Sequence, residues 1–308
     1  MNPTTPGFAF ATDEVGRLTR VVVRHARDAF VSQPTIDAQW QALNFTAAPS
    51  CSRAIEQYDR FLDLVASSGA EVLSLPPDGG LDSLYARDAS VVTSRGVVLC
   101  RMGKSQRAAE PAVQRAAFER WGIPVIGAIE APGTLEGGDL AWLDRRTVVV
   151  GRGYRTNDEG IRQLRAILGD EIDELIVVPL PHWHGPSDVF HLMSIISPVA
   201  HDLAVVYSPL MPVPFREYLL ARGLTLVEVP DEEFDTMGAN VLALSSRRCV
   251  MVEGSPRTRT LLERAGVDVL VYPGDEISLK GGGGPTCLTR PIGRAVGRAP
   301  EPPPAIQA

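Results

Sequence analysis

Ser90-Val91-Val92-Thr93-Ser94-Arg95-Gly96-Val97-Val98-Leu99-Cys100-Arg101 consists of two β-branched runs joined by a polar turn, a strand–turn–strand pattern. Behind it, Ser105 to Trp121 reads as a helix and Pro124–Ile126 as a short third strand. The same order recurs along the chain. Leu140–Leu143, Thr147–Gly151, a helix near Asn157–Leu168 and Leu175–Val178 form one unit. Ile195–Pro198, Leu203–Tyr207, a helix from Pro212 to Arg222 and Thr225–Val229 form the next. Val241–Leu244, Cys249–Glu253, a helix across Pro256–Ala265 and Val269–Tyr272 form the last. The first unit is less regular. Leu18 to Val23 is followed by a long connection, then by a helix from Ser52 to Ser67 and a strand from Val72 to Leu75. In that helix Ile55, Tyr58, Phe61, Leu62 and Val65 recur at helical spacing, and Gly69 fits a C-cap.

A unit of this kind covers one sheet face with a helix and cannot bury that face alone, so the units must pack around one another. The expected fold is an α/β, pseudo-fivefold propeller of strand–strand–helix–strand units, with unit starts converging on a common axis. No linker divides the chain, so 1–293 reads as a single domain. The Pro- and Ala-rich tail, 294–308, reads as disordered.

The unit starts hold chemically suggestive residues. They are Asp88, Glu136, His191, the Gly238-Ala239-Asn240 segment and Cys287, which lies in Lys280-Gly281-Gly282-Gly283-Gly284-Pro285-Thr286-Cys287. Glycines strip side chains from around Cys287 and let backbone and ligand approach. A thiolate with a histidine partner is the basis of covalent nucleophilic catalysis. Two nearby carboxylates would raise the thiol pKa by repulsion between anions, unless a cation lies between them and the sulfur. A planar guanidinium suits that place, because its N–H groups meet carboxylates in a fork. The residues therefore point to chemistry at the carbon of a guanidinium or amidinium group.

Composition narrows the partners. The 308 residues carry a net charge of −7, with 44% hydrophobic and 22% charged content. That balance argues against nucleic acid or an anionic membrane as partner and suits a cationic ligand. No apolar run reaches transmembrane length and no signal pattern opens the chain, so a cytoplasmic protein is expected. Association into a homo-oligomer stays open. Cys100 and Cys249 read as small hydrophobes in strands, and Cys51 as incidental. His182-Trp183-His184 has the spacing of a metal pair, but no further ligand completes it, so no metal is expected. The glycine run lacks Gly-Lys-Ser/Thr, and no nucleotide or other cofactor is expected.

The stretch Glu130-Ala131-Pro132-Gly133-Thr134-Leu135-Glu136-Gly137-Gly138-Asp139, the segment from Arg155 to Gly160 and the glycine run ending in Cys287 resemble the guanidine-modifying, or pentein, superfamily. The likeness runs from Arg20 to Ile292 and is strongest toward dimethylarginine dimethylaminohydrolases. It implies that Cys287 attacks the guanidinium carbon and that His191 protonates the leaving amine and then activates water. It implies that Asp88 and Glu136 hold the guanidinium, that Asp82 supports the pocket, and that Arg107 and Arg155 receive an α-carboxylate. The substrate implied is a guanidino amino acid, cut to citrulline and an alkylamine. Arginine deimination, amidino transfer and a non-enzymatic binding module are the alternatives. Met193 stands where deiminases and amidinotransferases carry an aspartate. On a strand it would share the face of His191 and favour N-substituted guanidines. Against that, Arg87 stands where dimethylargininases often carry glutamate. The stretch from Ala26 to Pro49, with Phe30, Trp40, Leu43 and Phe45, is expected to act as a lid.

Overall fold

The computed structural model of the protein describes residues 9–77, 80–187 and 189–295. It contains five three-stranded sheets in a pseudo-fivefold arrangement. In four of them the first strand pairs antiparallel with the second, and the second pairs parallel with the third beyond a helix. Ser90–Thr93, Gly96–Leu99 and Val125–Ala128 form one such sheet. Leu140–Trp142, Thr147–Arg152 and Glu174–Pro179 form another. Ile196–Ala200, Leu203–Val206 and Thr225–Glu228 follow, then Leu242–Ser245, Arg248–Val252 and Asp268–Tyr272. The middle strands are almost wholly buried and correspondingly rich in Val, as a strand covered on both faces requires. No helix among the described residues is long and apolar enough to cross a membrane.

The first unit completes its sheet with a strand from the other end of the chain. Leu18–Val23 pairs parallel with Glu71–Ser74 and antiparallel with Thr289–Arg294. This closing strand, Thr289-Arg290-Pro291-Ile292-Gly293-Arg294, contains Pro, Gly and two charges in place of a β-branched run. The strand runs one residue past the boundary expected at 293. Arg294 is 1% exposed, and the Ala295 N–H donates to the Arg17 carbonyl at 2.7 Å. The rest of the expected tail lies outside the described residues. A second correction concerns the helix expected from Ser105. It runs over Glu110–Arg120, with a separate 3₁₀ turn at Ser105–Arg107. Pro111 fits only a first helical turn, where its missing N–H costs nothing.

Arginines tie the closing strand to its neighbours. Arg290 donates to the Arg87 carbonyl at 2.5 Å, and Arg294 to the carbonyls of Gly16 and Ala243 at 2.6 and 2.9 Å. Arg87 meets both oxygens of Glu14 at 2.8 and 2.9 Å. Burial, and then the charge of Arg87, lower the Arg290 pKa to about 9.

The long connection expected to be a lid is only partly one. It folds into two short helices, Ala26–Phe30 and Gln33–Gln39, whose N-caps are the His25 and Ser32 side chains. Phe30 and Phe45 are buried in the main core, their rings 6.4 Å apart. Only the segment from Leu43 to Thr46 overhangs the site. It is held there by the Thr46 N–H on the Lys280 carbonyl at 2.8 Å and by Asn44 on the Ser187 carbonyl at 3.1 Å.

Ile292 is fully buried among Val22, Leu75, Val92 and Phe118, so it measures how firmly the closing strand docks. Ile292→Ala is expected to destabilise the fold by about 2–5 kcal/mol. Urea unfolding of the variant against the wild type checks it.

Candidate active site

Four of the expected site residues lie just ahead of a strand, whereas Arg107 and Arg155 follow the middle strands of two units and Asp82 sits in the turn Leu81–Leu84. Asp88 precedes Ser90–Thr93, Glu136 precedes Leu140–Trp142, His191 precedes Ile196–Ala200, and Cys287 precedes the closing strand. Short turns aim the side chains. Glu136 is the N-cap of the 3₁₀ turn Gly137–Asp139, and His191 is the N-cap of Leu192–Ser194, its N–H donating to Ser194 Oγ at 3.1 Å. His191 and Met193 therefore do not lie on a strand. Met193 is nonetheless buried in the wall of a cavity that also touches His191 and Cys287.

His191 sits between carboxylates. Its Nε2 is 2.8 Å from Glu136 Oε2, and its Nδ1 is 3.8 Å from Asp88 Oδ1. Asp139 lies behind, accepting from Thr156 Oγ1 at 2.6 Å and from the Leu192 N–H at 3.0 Å. Gly138 makes this packing feasible. Its N–H donates to Asp88 Oδ1 at 3.0 Å, and a Cβ there would lie 2.5 Å from His191 Nδ1. Donor atoms of Asp88, Glu136 and His191 come within 4.8 Å of one another, a spacing that would also admit a metal ion. Each carboxylate is already met by cations: Glu136 by Arg155 at 3.1 Å, and Asp88 by Arg107 at 2.5 Å. His182 and His184 make separate contacts, His182 with the Tyr154 hydroxyl at 2.7 Å and His184 stacked on Trp183.

The charges follow from this packing. Burial alone would lower the His191 pKa, but Asp88, Asp139 and Glu136 outweigh it and raise it to about 9. Burial alone would raise Glu136, but its hydrogen bond to His191 and the charges of His191 and Arg155 hold it well below the usual carboxylate range. Burial lifts Asp139 to about 6. The Cys287 thiol is pushed up, first by burial and then by Asp88. The expectation that two carboxylates would do this is therefore refined, since burial is the larger cause. Cys100 and Cys249 are buried in or beside strands, and burial pushes the Cys249 thiol up to about 12.

A cavity of about 110 Å³ collects Asp82, Asp88, Arg107, Arg155, His191 and Cys287 on its walls. Glu136 is fully buried behind His191. Arg107, expected to face a carboxylate, gives its N–H groups to Glu110, Asp88 and the Tyr85 carbonyl. Arg87 is turned away onto Glu14. Two residues were missed. Lys104 pairs with Asp82 at 2.6 Å, and its N–H donates to Glu136 Oε1 at 3.0 Å. Asn240 donates to Cys287 Sγ at 3.4 Å and accepts from the Thr286 N–H and hydroxyl at 3.0 and 2.8 Å. The position of Asn240 at a unit start was the available signal. Lys104 offered none beyond its nearness to Arg107.

Residues 82–220 and 213–294 match the arginine deiminase family. The chain is 35% identical over 230 residues to an N(G),N(G)-dimethylarginine dimethylaminohydrolase of Streptomyces coelicolor, covering 74% of this chain and 82% of that one. It is 28% identical over 243 residues to the protein of the same name from Pseudomonas aeruginosa, covering 78% and 89%. A solved dimethylarginine dimethylaminohydrolase, as an adduct with S-methyl-L-thiocitrulline, superposes with a TM-score of 0.73 at 26% identity. That superposition covers 88% of this chain and 98% of the other.

The raised His191 pKa sets a pH dependence. A group whose pKa rises from 6.5 to about 9 on folding contributes stability that is full below 6.5 and lost as pH climbs through 9. Stability toward urea should fall across that interval. Glu136→Gln should flatten the slope by removing the carboxylate bonded to Nε2. An unchanged slope in the variant would show that Glu136 is not what raises the His191 pKa.

Proposed function

We propose a reaction for this chain from a plain premise: it belongs to the arginine deiminase family of the guanidine-modifying (pentein) superfamily. The chain is a C–N hydrolase acting on the guanidinium carbon of an arginine derivative, most like a dimethylargininase, giving citrulline and an alkylamine. The observation that carries the reading is one small cavity joining Cys287, a His191 held protonated by carboxylates, and the acidic pair Asp82 and Asp88.

The substrate cation approaches Asp88, and its charge offsets the burial and the Asp88 repulsion that together keep Cys287 a thiol. The thiol proton then leaves to solvent. The sulfur adds to the guanidinium carbon. His191 gives its proton to the leaving amine as the C–N bond breaks, which leaves a thiouronium on Cys287. The neutral imidazole next takes a proton from water as the oxygen attacks that carbon. The C–S bond then breaks with its electron pair going to sulfur, and transfer of the hydroxyl proton to that sulfur restores the Cys287 thiol and releases citrulline. Glu136 holds the imidazole in place and stabilises its charge, because it accepts from Nε2 at 2.8 Å. Asn240 orients the sulfur. Arg155 anchors the substrate carboxylate, and Arg107 serves mainly to fix Asp88. Arginine itself is the second candidate substrate. With Arg87 turned onto Glu14, that position gives no reason to favour it.

Cys287→Ser, with Cys51, Cys100 and Cys249 intact, should bind substrate without turnover. The wild type should release alkylamine from N-methylated arginines faster than ammonia from arginine. Ammonia as the faster product would favour deimination, and full activity in the variant would remove Cys287 from the mechanism. For the carboxylate anchor, Arg155→Ala should lose roughly 1.5–3 kcal/mol in kcat/KM on an N-methylated arginine. It should lose much less on the decarboxylated analogue. Equal losses would make Arg155 a support for Glu136 instead.

A further inference from the structure

A second cavity adjoins the first at His191 and Cys287. Its volume is about 460 Å³ against about 110 Å³ for the first, and the two share His191, Cys287, Gly282, Val189 and Thr46. Their chemistry differs. The first is ringed by acids and bases, whereas Trp183, Met193, Phe234, Met237 and Leu279 give the second an apolar and aromatic wall, with His184, Ser194, Asp235 and Asn240 as its polar members. The wall is packed on itself. Phe234 stacks on Tyr207 with ring centroids 4.0 Å apart and meets Trp183 edge-on at 6.0 Å. Trp183 and Met237 both hold left-handed backbone, at φ 43° and 65°, a conformation that costs energy in such residues and clusters at ligand sites. Trp183 leaves 38% of its surface in water.

The geometry of the reaction gives this cavity an occupant. A guanidinium carbon within reach of Cys287 and held by Asp88 has its amino-acid chain in the first cavity. The nitrogen protonated by His191 must then carry its substituent past His191 and Cys287. We propose that the second cavity receives that substituent. The preferred substrates are then arginine derivatives whose leaving nitrogen bears a bulky apolar group, arylalkyl rather than methyl. A methyl group would leave most of the cavity unfilled, and apolar surface against Phe234 and Met193 favours a larger group. Hydrolysis adds water across the C–N bond, and the substituent departs as a primary amine with the proton from His191. The proposal rests on the hydrolase reading for its chemistry and on the cavity for its selectivity.

The test compares kcat/KM for N-methyl-L-arginine and N-benzyl-L-arginine, read as methylamine and benzylamine released. The wild type should favour the benzyl substrate by about tenfold or more. Met237→Trp, which fills the cavity, and Phe234→Ala, which removes its aromatic wall, should each erase that preference while keeping N-methyl-L-arginine turnover within about twofold. Retained N-methyl turnover also shows that the variant has folded. A wild type that prefers N-methyl-L-arginine, or variants that slow both substrates equally, would overturn the proposal. If neither amine is released, the hydrolase reading fails by itself. Calorimetry on Cys287→Ser then decides the cavity. Tighter binding of the benzyl compound, lost on adding Met237→Trp, supports it, and equal affinity for the two compounds sinks it.

Discussion

The pairing of Thr289–Arg294 with Leu18–Val23 is the constraint on which the rest of the molecule depends. It supplies the inner strand that the first unit lacks and so closes the ring between the chain's two ends. It also fixes Cys287, which stands two residues before the strand, with its carbonyl accepting from the Arg87 N–H at 3.2 Å. The glycine run ahead of it can follow this path only without side chains. A Cβ at Gly284 would lie 2.5 Å from Asn240 Oδ1, the oxygen that orders Thr286 beside the thiol. Ring closure and placement of the thiol therefore rest on the same strand.

Closing the ring also buries charge, which costs several kcal/mol for each unpaired ion. The molecule meets that cost by alternating signs: Glu110, Arg107, Asp88, His191, Glu136 and Arg155 form a chain in which each ion has an opposite neighbour. Replacing such a network by packed hydrocarbon is often neutral or stabilising, so stability alone does not account for it. What hydrocarbon cannot supply is an imidazole kept protonated near neutral pH beside a thiol kept neutral. Those are the resting states an acid and a nucleophile need if the substrate's own positive charge is to switch the site on.

Much of this was legible in the sequence, for a physical reason. Strand pairs such as Val91–Val92 with Val97–Val98 are buried on both faces, so burial wrote itself into composition. The site residues kept phase with those strands because each unit start converges on the axis. What could not be read was set by partners distant in the chain. The closing strand is a strand because Leu18–Val23 needs an edge, not because its own residues prefer one. His191 to Ser194 forms a turn because a serine hydroxyl caps it, which periodicity cannot reveal. Arg107 was expected to receive a substrate carboxylate, and only its contacts with Glu110 and Asp88 show where its hydrogen bonds go.

The misread turn at Met193 leads to a physical point about selectivity. The inference that Met193 faces the site reached the right wall by the wrong geometry, since a 3₁₀ turn rather than a strand carries it there. The difference matters. A strand would have placed Met193 beside His191 against the guanidinium, where it could only remove a hydrogen bond. The turn places it in the larger apolar cavity, where it contributes surface. On the proposed reading, recognition divides by side of the reacting carbon: fixed charges would read the guanidinium and carboxylate, and packing would read the leaving group. Charges discriminate poorly among substituents that share a charge, whereas an apolar wall discriminates by size at roughly 1–3 kcal/mol per methylene. Separating the two tasks lets the leaving-group side vary while the ionic chain that poises Cys287 and His191 stays intact.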